Sequence, residues 1–88
     1  MSFISVGYGN IVNADRIISV SSAVSAPSKR TIQEAKDTGR CIDVTQGRRT
    51  KSIIIMDSDH VILSAIPAEK ITRGMSDVEV LGDFEEEA

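Results

Sequence analysis

The sequence has no tryptophan, one tyrosine and two phenylalanines in 88 residues. Its core must therefore be aliphatic and thin. Cys41 is the lone cysteine and His60 the lone histidine. An intramolecular disulfide is excluded, and no structural zinc set can be assembled from that pair. The longest aliphatic run, Ile53–Met56, is far too short to cross a bilayer. The opening MSFISVGYGN has neither the basic stretch nor the apolar stretch of a signal peptide. These features lead to the expectation of a cytoplasmic protein with no membrane partner.

Leucine is scarce as well, with two residues against twelve isoleucines and eight valines. So many β-branched side chains favour strands over helices. A chain of 88 residues is one domain. At that length only about 60% of the unfolded surface is buried, so self-association is a natural remedy.

The net charge of −3 conceals an asymmetry. Residues 77–88 carry six acids (Asp77, Glu79, Asp83, Glu85, Glu86, Glu87) and no base. Without them, seven acids face ten bases, so residues 1–76 are net +3. The expected organisation is a basic folded body over 1–76 and an acidic, flexible tail over 77–88. Such a split points towards a polyanionic partner without requiring one.

Along the chain, Phe3–Val6 reads as a strand, Gly7–Asn10 as a turn, and Ile11–Val12 and Arg16–Val20 as two strands divided by Asn13-Ala14-Asp15. Ser25 is a good N-cap and Pro27 falls in a first helical turn. A helix is expected over about 26–38, stopped by Gly39. Lys29, Gln33, Lys36 and Arg40 form a basic stripe on it, while Arg30 and Glu34 stand at pairing distance.

In CIDVT, Ile42 and Val44 are expected inward, with Asp43 and Thr45 outward. Gln46-Gly47 turns the chain into a strand through Ile53–Met56, and Asp57-Ser58-Asp59 turns it back. Pro67 opens a short C-terminal helix. The fold class is α+β: a small antiparallel β-sheet domain with one longer helix and a short second one. Ile53, Ile54, Ile55 and Met56 occupy both faces of their strand, so both faces need cover. A second copy of the chain is the expected supplier on one face, making those four residues the expected oligomer interface.

Candidate chemistry is sparse. Gly7-Tyr8-Gly9 lacks the third glycine and the following helix of a phosphate loop, and reads as a turn. Asp57, Asp59 and His60 could hold a divalent cation, but Asp and Ser are ordinary turn residues. No serine stands in a triad pattern with His60. No catalytic set, cofactor or small-molecule substrate is expected. The basic residues carry more information. Arg16, Lys29, Arg30, Lys36, Arg40, Arg48, Arg49 and Lys51 come from separate segments and would form one positive surface if those segments adjoin. Lysine and arginine on phosphates give salt-sensitive, sequence-independent affinity, and arginine can also read either groove. A chain without surface aromatics would favour duplex DNA over stacked single strands.

With those residues identified, GYGNIVNADRIISV and SAPSKRTIQEAKDTGRCIDVTQGRRTKSIIIMDSDHVILSA together resemble the RemA family of bacterial extracellular-matrix regulators. The likeness spans about Ile4 to Thr72. It implies a DNA-binding transcription regulator, similar to LytTR-type domains and without enzymatic activity. It also implies a ring-shaped homo-oligomer, such as an octamer. By motif position, Arg48 and Arg49 of GRRT and Arg16 of ADRI are the implied DNA contacts. Lys51, Lys29 and Arg30 are supporting cations, and Pro27 of SAP is a structural or contact position at the helix entry. Two other classes stay open: a scaffold ring that binds protein partners, and a small metal-dependent enzyme built on Asp57, Asp59 and His60.

Overall fold

The computed structural model describes residues 2–75; the expected acidic tail at 77–88 lies outside them. The elements run β1 (Phe3–Gly7), β2 (Asn10–Asn13), a single 3-10 turn (Ala14–Arg16), β3 (Ile17–Ser22), α1 (Ala26–Asp37), β4 (Cys41–Asp43), β5 (Ser52–Met56), β6 (Val61–Ser64) and α2 (Ala68–Met75). The expected order and the α+β class both hold. The α1 boundaries follow from its caps. The Ser25 hydroxyl accepts from the Ser28 amide, Pro27 sits in the first turn, and the helix ends at Thr38 before Gly39 at φ +75°.

β1 and β2 form an antiparallel hairpin of their own. The other four strands make one sheet in the order β3-β5-β6-β4. Its β3–β5 and β5–β6 pairs are antiparallel, but β4 lies parallel to β6. The segment between β4 and β5 is therefore a connection that arches over the end of β6, not the tip of a hairpin. Val44 donates its amide to the Leu63 carbonyl and Lys51 to the Ser64 carbonyl along that path.

Three layers result. α1 joins the two edge strands and covers one face, where Ala23, Ala35, Ile53, Val61 and Leu63 are buried with Ile32, Cys41 and Ile55 against them. The β1–β2 hairpin and α2 cover the other, burying Ile4, Val6, Ile54, Ile62 and Ile71, with Met56 packed alongside. Ile53 is 2% exposed and Ile54 fully buried inside a single chain. The cover expected from a second copy is supplied for Ile53 and Ile54 by the chain's own helix, hairpin and second helix, while Ile55 and Met56 remain partly exposed. The apolar side chains left exposed lie elsewhere, at Phe3, Tyr8, Ile11, Ile18, Val24 and Ile42.

Ile42 departs from its expected inward position. On the three-residue edge strand β4 its side chain is exposed, whereas Thr45 just beyond is buried. Thr45 is accommodated because its amide and hydroxyl both donate to the Asp43 carboxylate, at 2.8 and 2.7 Å.

Two buried serines join the layers. Ser52 and Ser64 are register partners at the end of the β5–β6 pair, and neither has exposed surface. The Ser52 hydroxyl donates to the Ile66 carbonyl at 2.7 Å. The Ser64 hydroxyl donates to the Val6 carbonyl at 2.9 Å and accepts from the Ile66 amide at 3.0 Å. Replacing Ser64 by alanine strands the Val6 carbonyl and the Ile66 amide. We expect a loss of about 1–3 kcal/mol, read as a lower denaturation midpoint with an unchanged slope. Serine-to-threonine at this site should also destabilise, because the added methyl has no space in a fully buried position.

Candidate nucleic-acid interface

The register places the basic residues at two ends of the sheet. At the first end, β3 finishes at Ser22 opposite Ser52, β5 begins, and β6 finishes at Ser64. Around it lie the start of α1, the Thr45–Lys51 connection and the β1–β2 turn. The start of α1 is fixed there because the Ser28 hydroxyl donates to the Ser22 carbonyl at 2.6 Å. Ala23 and Lys51 are linked by a backbone bond of 3.1 Å. Lys29, Arg30, Arg48, Arg49 and Lys51 therefore gather at this end, and all five are exposed. Pro27 is exposed beside them. Among the described residues none of the five is ion-paired. The N-terminal end of α1, with no acid in its first turn, adds to the same positive field.

Arg48 is placed by a tight turn. Gln46 and Gly47 have φ of +55° and +79°, and the Arg48 amide donates to the Thr45 carbonyl at 3.0 Å. Two residues of positive φ in succession are the mark of a type I′ turn. Its first corner is tied down by Asp43. The two donations from Thr45, the amide first, hold the Asp43 carboxyl below the usual aspartate range; nearby Lys36 adds a smaller pull in the same direction.

The β1–β2 turn faces the same region. The Tyr8 ring lies under the Arg48 guanidinium, 5.8 Å from Cζ to the ring centre. Tyr8 is 49% exposed and Phe3 is exposed too, so the expectation of a surface without aromatics is corrected. Sequence reading passed over Tyr8 because its turn was explained by its glycines alone. The visible signal was a bulky residue held between two glycines.

Arg16 stands apart. It closes the 3-10 turn before β3, and Ile17 pairs with Met56 at the far end of β5. Five residues of β5 separate the two ends, about 14 Å of strand. Arg16 is bound to the β5–β6 turn twice over. Its Nη1 sits 3.2 and 3.3 Å from the Asp57 carboxylate oxygens, and its carbonyl accepts from the Asp57 amide at 2.8 Å. Arg40 is at the same end, donating to the Thr38 hydroxyl and the Asp59 carbonyl. The single positive surface expected from all the basic segments is therefore divided within one chain: five cations at one end, Arg16 and Arg40 among aspartates at the other, and Lys36 in the last turn of α1. Among the described residues Arg30 and Glu34 are not ion-paired.

The aspartate turn behaves as a turn. The Asp59 amide donates to the Met56 carbonyl, and Ser58 Oγ and His60 Nδ1 are 2.8 Å apart. No group of three or more metal-ligating side chains occurs among the described residues. No helix among them is long and apolar enough to cross a membrane.

Comparison with known proteins gives one family and many relatives. The family model described as "Extracellular matrix regulatory protein A-like" matches residues 3–75. A protein of Carboxydothermus hydrogenoformans is 57% identical over 86% of this chain and 87% of its own length. One of Geobacillus kaustophilus is 51% identical over 99% and 97%. Both are named only as regulatory proteins. Extracellular matrix regulatory protein A of Bacillus subtilis is 48% identical over 94% of this chain and 93% of its own.

Asp43 gives a pH signature for the Thr45 turn. Its folded-state pKa is depressed, so its contribution is complete above the unfolded value and lost as pH falls through the folded one. The wild-type chain should therefore lose stability on acidification below the ordinary aspartate range. That acid-dependent loss should be smaller in Asp43→Ala, which starts from lower stability at neutral pH. Denaturant titrations at a series of pH values check both.

Proposed function

Because the chain belongs to the RemA-like family of extracellular matrix regulatory proteins, we propose that it is a DNA-binding transcription regulator, not an enzyme, working in the cytoplasm as a homo-oligomer. The observation that carries this reading is the end of the sheet with five exposed cations and no ion pair among the described residues. No carboxylate among the described residues neutralises that cluster. Here Asp43 is engaged with Thr45, and Glu69 in the first turn of α2 is not ion-paired with any of the five. An unneutralised cluster of this kind attracts phosphates and releases their counterions.

Arg48 and Arg49 lead the contact, with Lys51, Lys29 and Arg30 on flanking phosphates and Pro27 shaping the helix entry beside them. Five cations form a small footprint for one subunit. A ring of copies, such as an octamer, would multiply the phosphate contacts along one duplex, and affinity would rise through effective concentration. Exposed Ile11, Ile18, Val24 and Ile42 are among the apolar residues available for self-association. Arg16 is too far from the cluster to join it within one subunit. Its place in this reading is a second contact, reached by the same duplex after bending or supplied beside a neighbour's cluster, in competition with Asp57 for Nη1.

The test is a gel shift on genomic duplex fragments across a salt series. Arg48→Ala with Arg49→Ala should abolish the shift at moderate salt and flatten the slope of log affinity against log salt by about two, one per lost phosphate contact. Light scattering should show the assembly mass unchanged. A native-strength shift by the double variant at low salt removes these arginines from the interface. An intact oligomer that never shifts duplex DNA, but retains protein partners after nuclease treatment, establishes the scaffold reading instead.

A further inference from the structure

The two adjacent arginines of the cluster differ in one respect. Arg48 rests on the Tyr8 ring, whereas no contact of that kind holds the Arg49 guanidinium among the described residues. The turn that carries Tyr8 is fixed from several sides. Gly7, Tyr8 and Gly9 have φ of +108°, +54° and +81°. Positive φ is uncommon for a side chain of this size and persists only where the surroundings enforce it.

Those surroundings can be named. Gly7 pairs with Asn10 across the two-residue turn. Asn10 Nδ2 donates to the Gly7 and Tyr8 carbonyls, at 2.9 and 3.3 Å. The preceding Val6 carbonyl is held by the buried Ser64 hydroxyl. The opposite side is equally constrained, since Arg48 follows a turn anchored by Thr45 and Asp43. Two rigid turns 40 positions apart in sequence thus bring a ring face to a guanidinium.

We propose that Tyr8 is a positioning residue for Arg48: its ring restricts the guanidinium before the polyanion arrives, so that Arg48 loses less rotamer freedom on binding than Arg49 does. This rests on the DNA-binding reading above. It uses the ring face and not the phenol, so phenylalanine should substitute. An arginine ordered in advance contributes more to affinity than an equally charged free one.

Two measurements on the full chain test it, and the first needs no DNA. Tyr8 is the only tyrosine and there is no tryptophan, so tyrosine emission reports this one ring. Quenching by neutral acrylamide should increase in Arg48→Ala and stay unchanged in Arg49→Ala. Equal quenching in all three proteins overturns the contact itself.

The second is a double-mutant cycle on duplex affinity at low salt. Tyr8→Ala should weaken binding about three- to fivefold, or about 0.7–1 kcal/mol at 1.4 kcal/mol per tenfold. Tyr8→Phe should bind within about twofold of the native chain, the margin of a contact kept by either ring. The alanine change should cost nothing further in an Arg48→Ala background and its full effect in an Arg49→Ala background. A similar loss in both backgrounds, or native affinity for Tyr8→Ala, overturns the positioning role. If the quenching result holds but no variant, including Arg48→Ala with Arg49→Ala, alters affinity, the arginine pair is not the DNA contact and the role of Tyr8 fails with it; if the native chain never shifts duplex DNA, the DNA-binding reading itself fails. The contact would then stand as a structural one.

Discussion

Two hydroxyl groups without exposed surface hold this molecule in register. Ser52 and Ser64 stand opposite each other where the central strand pair ends, on the face turned towards the β1–β2 hairpin. An aliphatic pair in their place would pack adequately but would leave the Val6 and Ile66 carbonyls without donors. Burial of unpaired carbonyls is costly, so the layers would separate or shift. With the hydroxyls present, β1 ends at a defined point above the sheet, and the Tyr8 turn is delivered to the Thr45–Lys51 connection. Hydrophobic burial supplies the larger energy, through Ile53 and Ile54 on opposite faces of β5. It does not set the lateral position of one layer on another, which directional bonds do.

The division of positive charge follows from the same register. Residues that look contiguous in a list of cations are separated by the length of a strand, and one of them is bound to a carboxylate. Arg16 thus has two roles to reconcile. It closes the 3-10 turn against the β5–β6 turn, and it stands where the family resemblance implies a DNA contact. An exposed ion pair of this kind is worth little in water, so its loss to a competing anion would cost the fold little.

Local features were legible in the sequence. The order of strands and helices, the Ser25 cap, the Gly39 stop and the opening of α2 at Pro67 all follow from the chemistry of neighbouring residues. The strand pairing was not legible, because it is decided by segments far apart. Gln46-Gly47 has the composition of a hairpin turn and is a tight turn, yet β6 inserts between the strands it joins. Alternation misled at Ile42 because a three-residue edge strand offers it no cover, while Asp43 satisfies Thr45 well enough to bury it. Of the proposed interface, the arginine pair was visible as composition. Its neighbour Tyr8 was not, since only the folded chain brings residues 8 and 48 together.

The strand order also dictates the sequence of events as the chain leaves the ribosome. β3 and β4 are the two edges of the sheet, and both precede its middle, β5 and β6. β3 has no partner until β5 has emerged, β4 has none until β6 follows, and α1 has no completed surface to lie on before then. Only the β1–β2 hairpin can pair early, and an isolated hairpin is marginal in water. Folding therefore waits for the last third of the polypeptide, and a message truncated before Ser52 yields a nascent product with every edge unpaired, a natural target for proteolysis.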